Sequence, residues 1–430
     1  MTVHQPIEPR ACGCDGQHAL KRLIGVEEAV DRIKTRTAPI EGVETLPLDR
    51  APGRVLARPV LARAMAPAFD AAAMDGYAVA TRDLAGEGPW GLPVVARVAA
   101  GQGAAPLVRG TAARIFTGAP VPCGADAVVM QEEAAREGDT VRLSRCPAPG
   151  QNIRPAGSDL AAGACVLQQG ARIGARAIAA CAAAGADSVE VLRRVRVALL
   201  VTGDEVRQAD QPRGAAQIRD VNGPMLRAAL QGPQTEIVAT VHGADSRAGL
   251  MRQMADLAAR ADLVITTGGI SVGEEDHVKP AFHALGGETL FSGVAIKPGK
   301  PVSAGRIGAA FWLGLPGNPL SAHVTWQVFG LALLRALEGS SDARPMVRQV
   351  VTGAEIRRKP GRAEYRPARL DGVDGEGREV IRFEEATHSG RVAQLPQADG
   401  LMILPADAAH LPRGARVLFQ PFATIRGGGG

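Results

Sequence analysis

The chain has 430 residues, 46% of them hydrophobic and 22% charged, with a formal net charge of +5. That length exceeds a single hydrophobic core, so two to four domains are expected. Aromatics make up only 3% and no run of five or six Lys/Arg occurs, which argues against stacked or polybasic nucleic-acid binding and leaves an anionic small substrate open.

Residues 1–20 are polar and broken by Pro and Gly, the pattern of a flexible N-terminal arm. They lack a basic segment followed by an apolar one, and no apolar run approaches the roughly 18 residues needed to cross a bilayer. The expected compartment is the cytoplasm, with no membrane partner. The six cysteines include the cluster Cys12-Gly-Cys14, but nothing at zinc spacing completes it.

Apolar positions Val26, Ala29, Val30 and Ile33 predict a short amphipathic helix over 26–37. From 43 to 150, short apolar segments alternate with Gly and Pro, as in a β-rich region. Residues 174–186 are alanine-rich and predict a helix ending at Gly185. "VRVALLV" at 195–201 is a continuous apolar run, as a buried parallel strand requires. Beyond it, strands at 235–241, 262–267, 289–296 and 309–315 alternate with helices at 224–230, 246–260, 276–285 and 319–338. That alternation predicts an α/β layer with a mainly parallel sheet. Short strands and turns from about 345 onward predict a small terminal β domain.

In open α/β sheets ligands bind beyond the carboxyl ends of the strands. Those ends carry Thr202-Gly203-Asp204-Glu205, Gly243-Ala244-Asp245, Gly268-Gly269-Ile270-Ser271-Val272-Gly273 leading to Asp276, Lys297-Pro298-Gly299-Lys300-Pro301, and Pro316-Gly317-Asn318. Glycines let backbone N–H groups approach an anion. Carboxylates suit a hard cation such as Mg²⁺, and the two lysines suit a second anion. Neither GxxxxGK[ST] nor GxGxxG is present. Taken singly, each feature also fits a turn, a helix cap or a solvated lysine.

"FDAAAMDGYAV" (69–79), "IFTGAPVPCGADAVVMQE" (115–132), "GQNIRPAGSDLAAG" (150–163), "TGDEV", "TTGGISVGEED", "AIKPGKPVSAG" and "GLPGNPLSA" together resemble the molybdopterin molybdenumtransferases, the family of MoeA and the gephyrin E domain. The resemblance spans about residues 22–424. It implies an elongated homodimer of multidomain chains, α/β plus β. A linking subdomain is split over 21–45 and 150–190. A β-rich subdomain covers 46–149, a MogA-like α/β molybdopterin-binding domain 191–340, and a C-terminal small β-barrel 345–426. The active site is expected between the α/β subdomain of one protomer and the β domains of the other. The implied reaction is Mg²⁺-dependent insertion of molybdate into adenylyl-molybdopterin with release of AMP.

By motif, the resemblance assigns catalysis to Asp70, Thr117, Asp159, Glu205 and Asp245, and metal binding to Glu205, Asp245 and Asp276. It assigns substrate binding to Thr202, Gly203, Gly268, Gly269, Ser271, Gly273, Pro316, Gly317 and Asn318. Molybdate falls to Lys297, Lys300, Pro301, Arg362 and Ser389. The implied macromolecular partners are the molybdopterin adenylyltransferase and apo-molybdoenzymes. The sequence departs from the family's FDNSAMDGYA at Ala71 and Ala72. Ser158 replaces an acidic residue, and Gly390 stands at the family's oxyanion-contacting serine, one position from Ser389. The Ala71-Ala72 change leaves a non-catalytic carrier or scaffold paralogue as the alternative. An adenylyltransferase, which shares only the α/β subdomain, does not account for the flanking domains.

Overall fold

The computed structural model describes residues 23–244, 246–271, 276–341, 346–384 and 392–422. The chain forms two compact units. One comprises 45–52 and 56–191, and the other the remainder.

The larger unit is built on a six-stranded sheet. Its strands are β1 (Val195–Val201), β2 (Thr235–His242), β3 (Leu263–Thr267), β4 (Glu288–Ser292), β6 (Ser303–Ile307) and β7 (Ala310–Leu315), in the order β2-β1-β3-β7-β6-β4. The pairs β2–β1, β1–β3 and β3–β7 are parallel, and β7–β6 and β6–β4 are antiparallel. The uninterrupted apolar run of β1 has a direct cause. Val195, Val197 and Leu199 face one core with α2 (Asn222–Leu230), while Ala198 and Leu200 face a second core with α3 (Arg247–Arg260) and α4 (Val278–Ala284). A strand buried on both faces has no polar face to alternate with. The helix α1 (Val26–Arg36) buries Ala29 and Ile33 in the first of these cores.

Two sequence expectations needed correction here. The segment 289–296 is not one strand. It ends at Ser292 and restarts as β5 (Ile296–Lys297), which leaves this sheet altogether. The strand β6 was not expected, because "SAGRI" has neither alternation nor β-branched density to mark it.

The helix at 319–337 is α5 (Pro319–Thr325) and α6 (Leu331–Leu337), joined by a π-helical turn at Trp326–Gly330. By length and composition it could cross a membrane, contrary to the sequence expectation, yet it is 72% buried within the fold. It serves as a core helix.

The C-terminal part closes as a small barrel of β8 (Arg348–Thr352), β9 (Ala363–Val373), β10 (Glu379–Phe383), β11 (Gly400–Leu404) and β12 (Arg416–Pro421), in the order β9-β10-β8-β12-β11 with β11 returning to β9. Ile381, Met402, Leu404 and Phe419 fill it. The two-residue β5 adds to this barrel, parallel to β9, with Ile296 opposite Ala363 and Lys297 opposite Glu364.

The smaller unit holds a six-stranded sheet over 76–143 and an alanine-rich helix, Ala175–Ala183. Within it Ala71 and Ala72 form a short strand opposite Ile153–Arg154 and are 6% and 1% exposed. The departure from the family's Asn-Ser therefore falls on buried backbone ladder positions, where small apolar side chains fit.

Candidate functional site

The carboxyl ends of β1, β2, β3 and β7 open onto one cleft of about 750 Å³. Its walls include Thr202, Gly203, Asp204, Glu205, Ala244, Gly268, Gly269, Ser271, Asp276, Pro301, Pro316, Gly317 and Asn318. Parallel strands deliver these residues together because each ends in a loop on the same edge.

The turn after β3 is fixed by close backbone packing. Gly268 has φ +92°, and a Cβ there would lie 2.7 Å from Thr202 Oγ1 and 2.8 Å from the Thr202 carbonyl. The Gly268 N–H donates to the Leu315 carbonyl at 3.0 Å, and the Thr202 hydroxyl donates to Thr267 O at 3.1 Å. The loops after β1, β3 and β7 are thus stitched to one another at the cleft floor.

Asn222 supplies a further strut that sequence reasoning missed. Its Nδ2 donates to Thr267 Oγ1 at 2.7 Å and to Gly317 O at 2.8 Å, tying α2 to the ends of β3 and β7. Its Oδ1 is buried without a hydrogen-bond partner among the described residues. The signal was present in "DVNGP", where Asp220 Oδ1 accepts the Gly223 N–H at 2.8 Å and starts the helix two residues before the expected position.

Glu205 and Asp276 are the predicted metal carboxylates that the structure places on the cleft wall. Carboxylate oxygens match Mg²⁺, which completes its shell with waters and substrate oxygens rather than needing a full protein cage. Among the described residues no group of three His, Cys, Asp or Glu that could hold a metal ion comes together. Asp245, Gly273 and Ser389 lie outside the described residues.

The lysine loop is placed differently from the sequence expectation. Lys297 and Lys300 do not follow a strand of the parallel sheet, and of this loop only Pro301 lines the cleft. Gly299, with φ +110°, packs against α5 so closely that a Cβ would sit 2.3 Å from Thr325 Cγ2. Lys297 is anchored from the barrel side. Its Nζ lies 3.4 Å from Glu364 Oε1, and its side chain remains 43% exposed. Arg362 is two residues from Glu364 on the same barrel segment, and its carbonyl accepts from Arg358.

In the smaller unit, Thr117 donates through both its N–H and its hydroxyl to Asp75 Oδ1, each at 2.8 Å. The backbone bond first, and then the hydroxyl bond, hold the Asp75 carboxyl below its usual range. Asp75 thus fixes the turn that presents Thr117, a link visible in sequence only as an acidic residue in an unusual loop. Asp70 Oδ1 accepts the Ala156 N–H at 2.8 Å, and Asp70 and Asp159 are both exposed.

Comparison with known proteins covers nearly the whole described chain. Residues 24–185 match the MoeA N-terminal region (domain I and II), 198–336 a probable molybdopterin binding domain, and 349–422 the MoeA C-terminal region (domain IV). The chain is 37% identical over 383 residues to molybdopterin molybdenumtransferase 2 of Mycobacterium tuberculosis, covering 87% of this chain and 93% of that one. It is 36% identical over 389 residues to the molybdopterin molybdenumtransferase of Nostoc, covering 88% of each. Among solved structures, a molybdopterin biosynthesis MoeA protein from Pyrococcus horikoshii superposes with a TM-score of 0.80 at 26% identity, over 93% of this chain and all of that one.

Proposed function

The chain belongs to the molybdopterin molybdenumtransferase family of molybdenum cofactor biosynthesis, and from that premise we propose that it inserts molybdate into adenylylated molybdopterin with Mg²⁺ assistance and release of AMP. The observation that supports this reading is the meeting, at one cleft, of glycine turns, the carboxylates Glu205 and Asp276, and Pro301 at the end of the dilysine loop.

Each part has a task that its chemistry suits. The N–H groups of Gly203 and Gly269 receive the diphosphate of the pterin substrate, since glycine allows close backbone approach. Glu205 and Asp276 hold Mg²⁺, which when bound neutralises charge on the oxygens of the cleaved P–O–P linkage. Lys297 and Lys300 hold the tetrahedral dianion as it meets the dithiolene. The loop that carries them is fixed by Gly299 against Thr325, so binding orders little further chain. Asp70, Thr117 and Asp159 would act from the β-rich subdomain of a second protomer, as the resemblance implies.

The test is incubation with adenylylated molybdopterin, Mg²⁺ and molybdate, with AMP and reconstitution of an apo-molybdoenzyme as readouts. Molybdate-dependent AMP release is expected. Binding of the pterin without AMP release would instead identify a carrier. Lys297→Ala is expected to raise the KM for molybdate about tenfold, the scale of one charge-assisted hydrogen bond, with unchanged affinity for the pterin substrate. An unaltered molybdate KM removes the oxyanion role from this loop.

A further inference from the structure

We propose that Glu364, a barrel residue, is a positioning residue for the reaction and acts through Lys297; this rests on the molybdate reading of the dilysine loop. Glu364 is the register partner of Lys297 across the β5–β9 pairing, so the two side chains project on the same side of that ladder. Its Oε1 lies 3.4 Å from Lys297 Nζ and 2.9 Å from Arg366 Nε, and its Oε2 lies 3.1 Å from Arg358 Nε.

The burial of the four side chains is unequal, and that inequality carries the argument. Glu364 is 1% exposed, Arg358 2% and Arg366 5%, while Lys297 is 43% exposed. Three members are locked inside the barrel wall and one reaches solvent. Arg358 is held further by donating to the carbonyls of Pro405, Ala408 and Arg362. Arg366 lies over the Phe383 ring. Glu364 therefore cannot follow Lys297 if the lysine swings, and the lysine is the element that gives.

The carboxylate stays charged in this setting. Burial alone would push it up, but the hydrogen bond from Arg366 and the charges of Arg366, Lys297 and Arg358 outweigh burial and hold it below the usual range. A lysine on its four-carbon stem carries about 2 kcal/mol of rotamer entropy. Tethering it to a fixed anion before substrate arrives removes part of that cost from binding. Glu364 is too deeply buried to meet the oxyanion itself. With Arg358 and Arg366 also on this carboxylate, the exposed ammonium keeps its attraction for a dianion.

The experiment is a double-mutant cycle on the full chain, with Lys297→Ala, Glu364→Gln and the double variant, reading kcat and KM for molybdate in the AMP-release assay. Glu364→Gln is expected to raise the molybdate KM about tenfold, within the coupling range of residues in direct contact, with kcat nearly unchanged. In the Lys297→Ala background it should add nothing. Multiplying effects, or a wild-type KM for Glu364→Gln beside a raised KM for Lys297→Ala, overturns the proposal and leaves the oxyanion loop standing. A wild-type KM for Lys297→Ala removes both. Because Glu364→Gln leaves Arg358 and Arg366 without their counter-ion and can unfold the barrel, Glu364→Asp is measured alongside. It keeps the charge on a shorter arm and should fold with a raised molybdate KM. A wild-type KM with a lowered melting temperature would show that the role is only structural.

Discussion

Asp262 and His323 make the stability of the larger unit depend on acid, in separate pH windows. Asp262 receives both guanidinium nitrogens of Arg193, at 2.6 and 2.9 Å, and a third contact from Arg196 Nη2 at 3.1 Å. Burial would raise its carboxyl, but the Arg193 and Arg196 hydrogen bonds prevail and bring it down to about 2. A depressed carboxylate stabilises fully above its unfolded value near 4 and loses that contribution as pH falls toward 2, roughly 2 kcal/mol in all. His323 behaves differently. It is half-buried on α5, edge-on to Phe422, with a buried Nε2 that has no partner among the described residues, and burial brings it down to about 4. The unfolded chain takes the proton first, so stability falls between about pH 6.5 and 4, by up to roughly 3 kcal/mol. Melting curves across pH should show both declines. His323→Met should flatten the upper one, and Asp262→Asn should reduce the lower one, to which the depressed Glu364 carboxyl also contributes. If either variant leaves its window unchanged, that residue is not the cause.

At the scale of elements, the dilysine loop depends on its contact with α5. Gly299→Ala introduces a Cβ at 2.3 Å from Thr325 Cγ2, in a backbone region that favours glycine. The expected loss is about 1–3 kcal/mol, read as a lower urea midpoint. Thr325→Ala, by removing Cγ2, should restore part of it, and no restoration would place the strain in the backbone alone. The sequence disclosed the elements whose pattern is local: the doubly buried β1, the amphipathic α1 and the glycine turns after β1 and β3. It hid those defined by a distant partner. β5 is two residues long and belongs to the barrel only because β9, more than sixty positions away in the chain, pairs with it. The same reason hid Asn222 and Glu364. Asn222 acts by bridging Thr267 and Gly317, and Glu364 acts through Lys297, its distant register partner. The cleft was legible because strand ends in a parallel sheet converge by topology, while the placement of the lysines beside it was not.

At the scale of the whole molecule, each compact unit has its own hydrophobic core, and the larger one contains two folds of different class, an α/β layer and a closed barrel. The β5–β9 ladder links them, with the Ala363 N–H donating to the Ala295 carbonyl at 3.0 Å. The barrel wall and the dilysine loop are therefore one piece of hydrogen-bonded backbone. Opening of that ladder requires the loop and the wall to part. An oxyanion that holds the loop in place should then slow deuterium uptake in the barrel, most of all at Ala363 and Glu364, although neither backbone group need touch it. Exchange measured by mass spectrometry with and without molybdate checks this, and slowing confined to 202–205 and 268–271 would count against it. The C-terminal barrel, distant in sequence from the cleft, would thereby become a gauge of whether the dilysine loop holds an oxyanion.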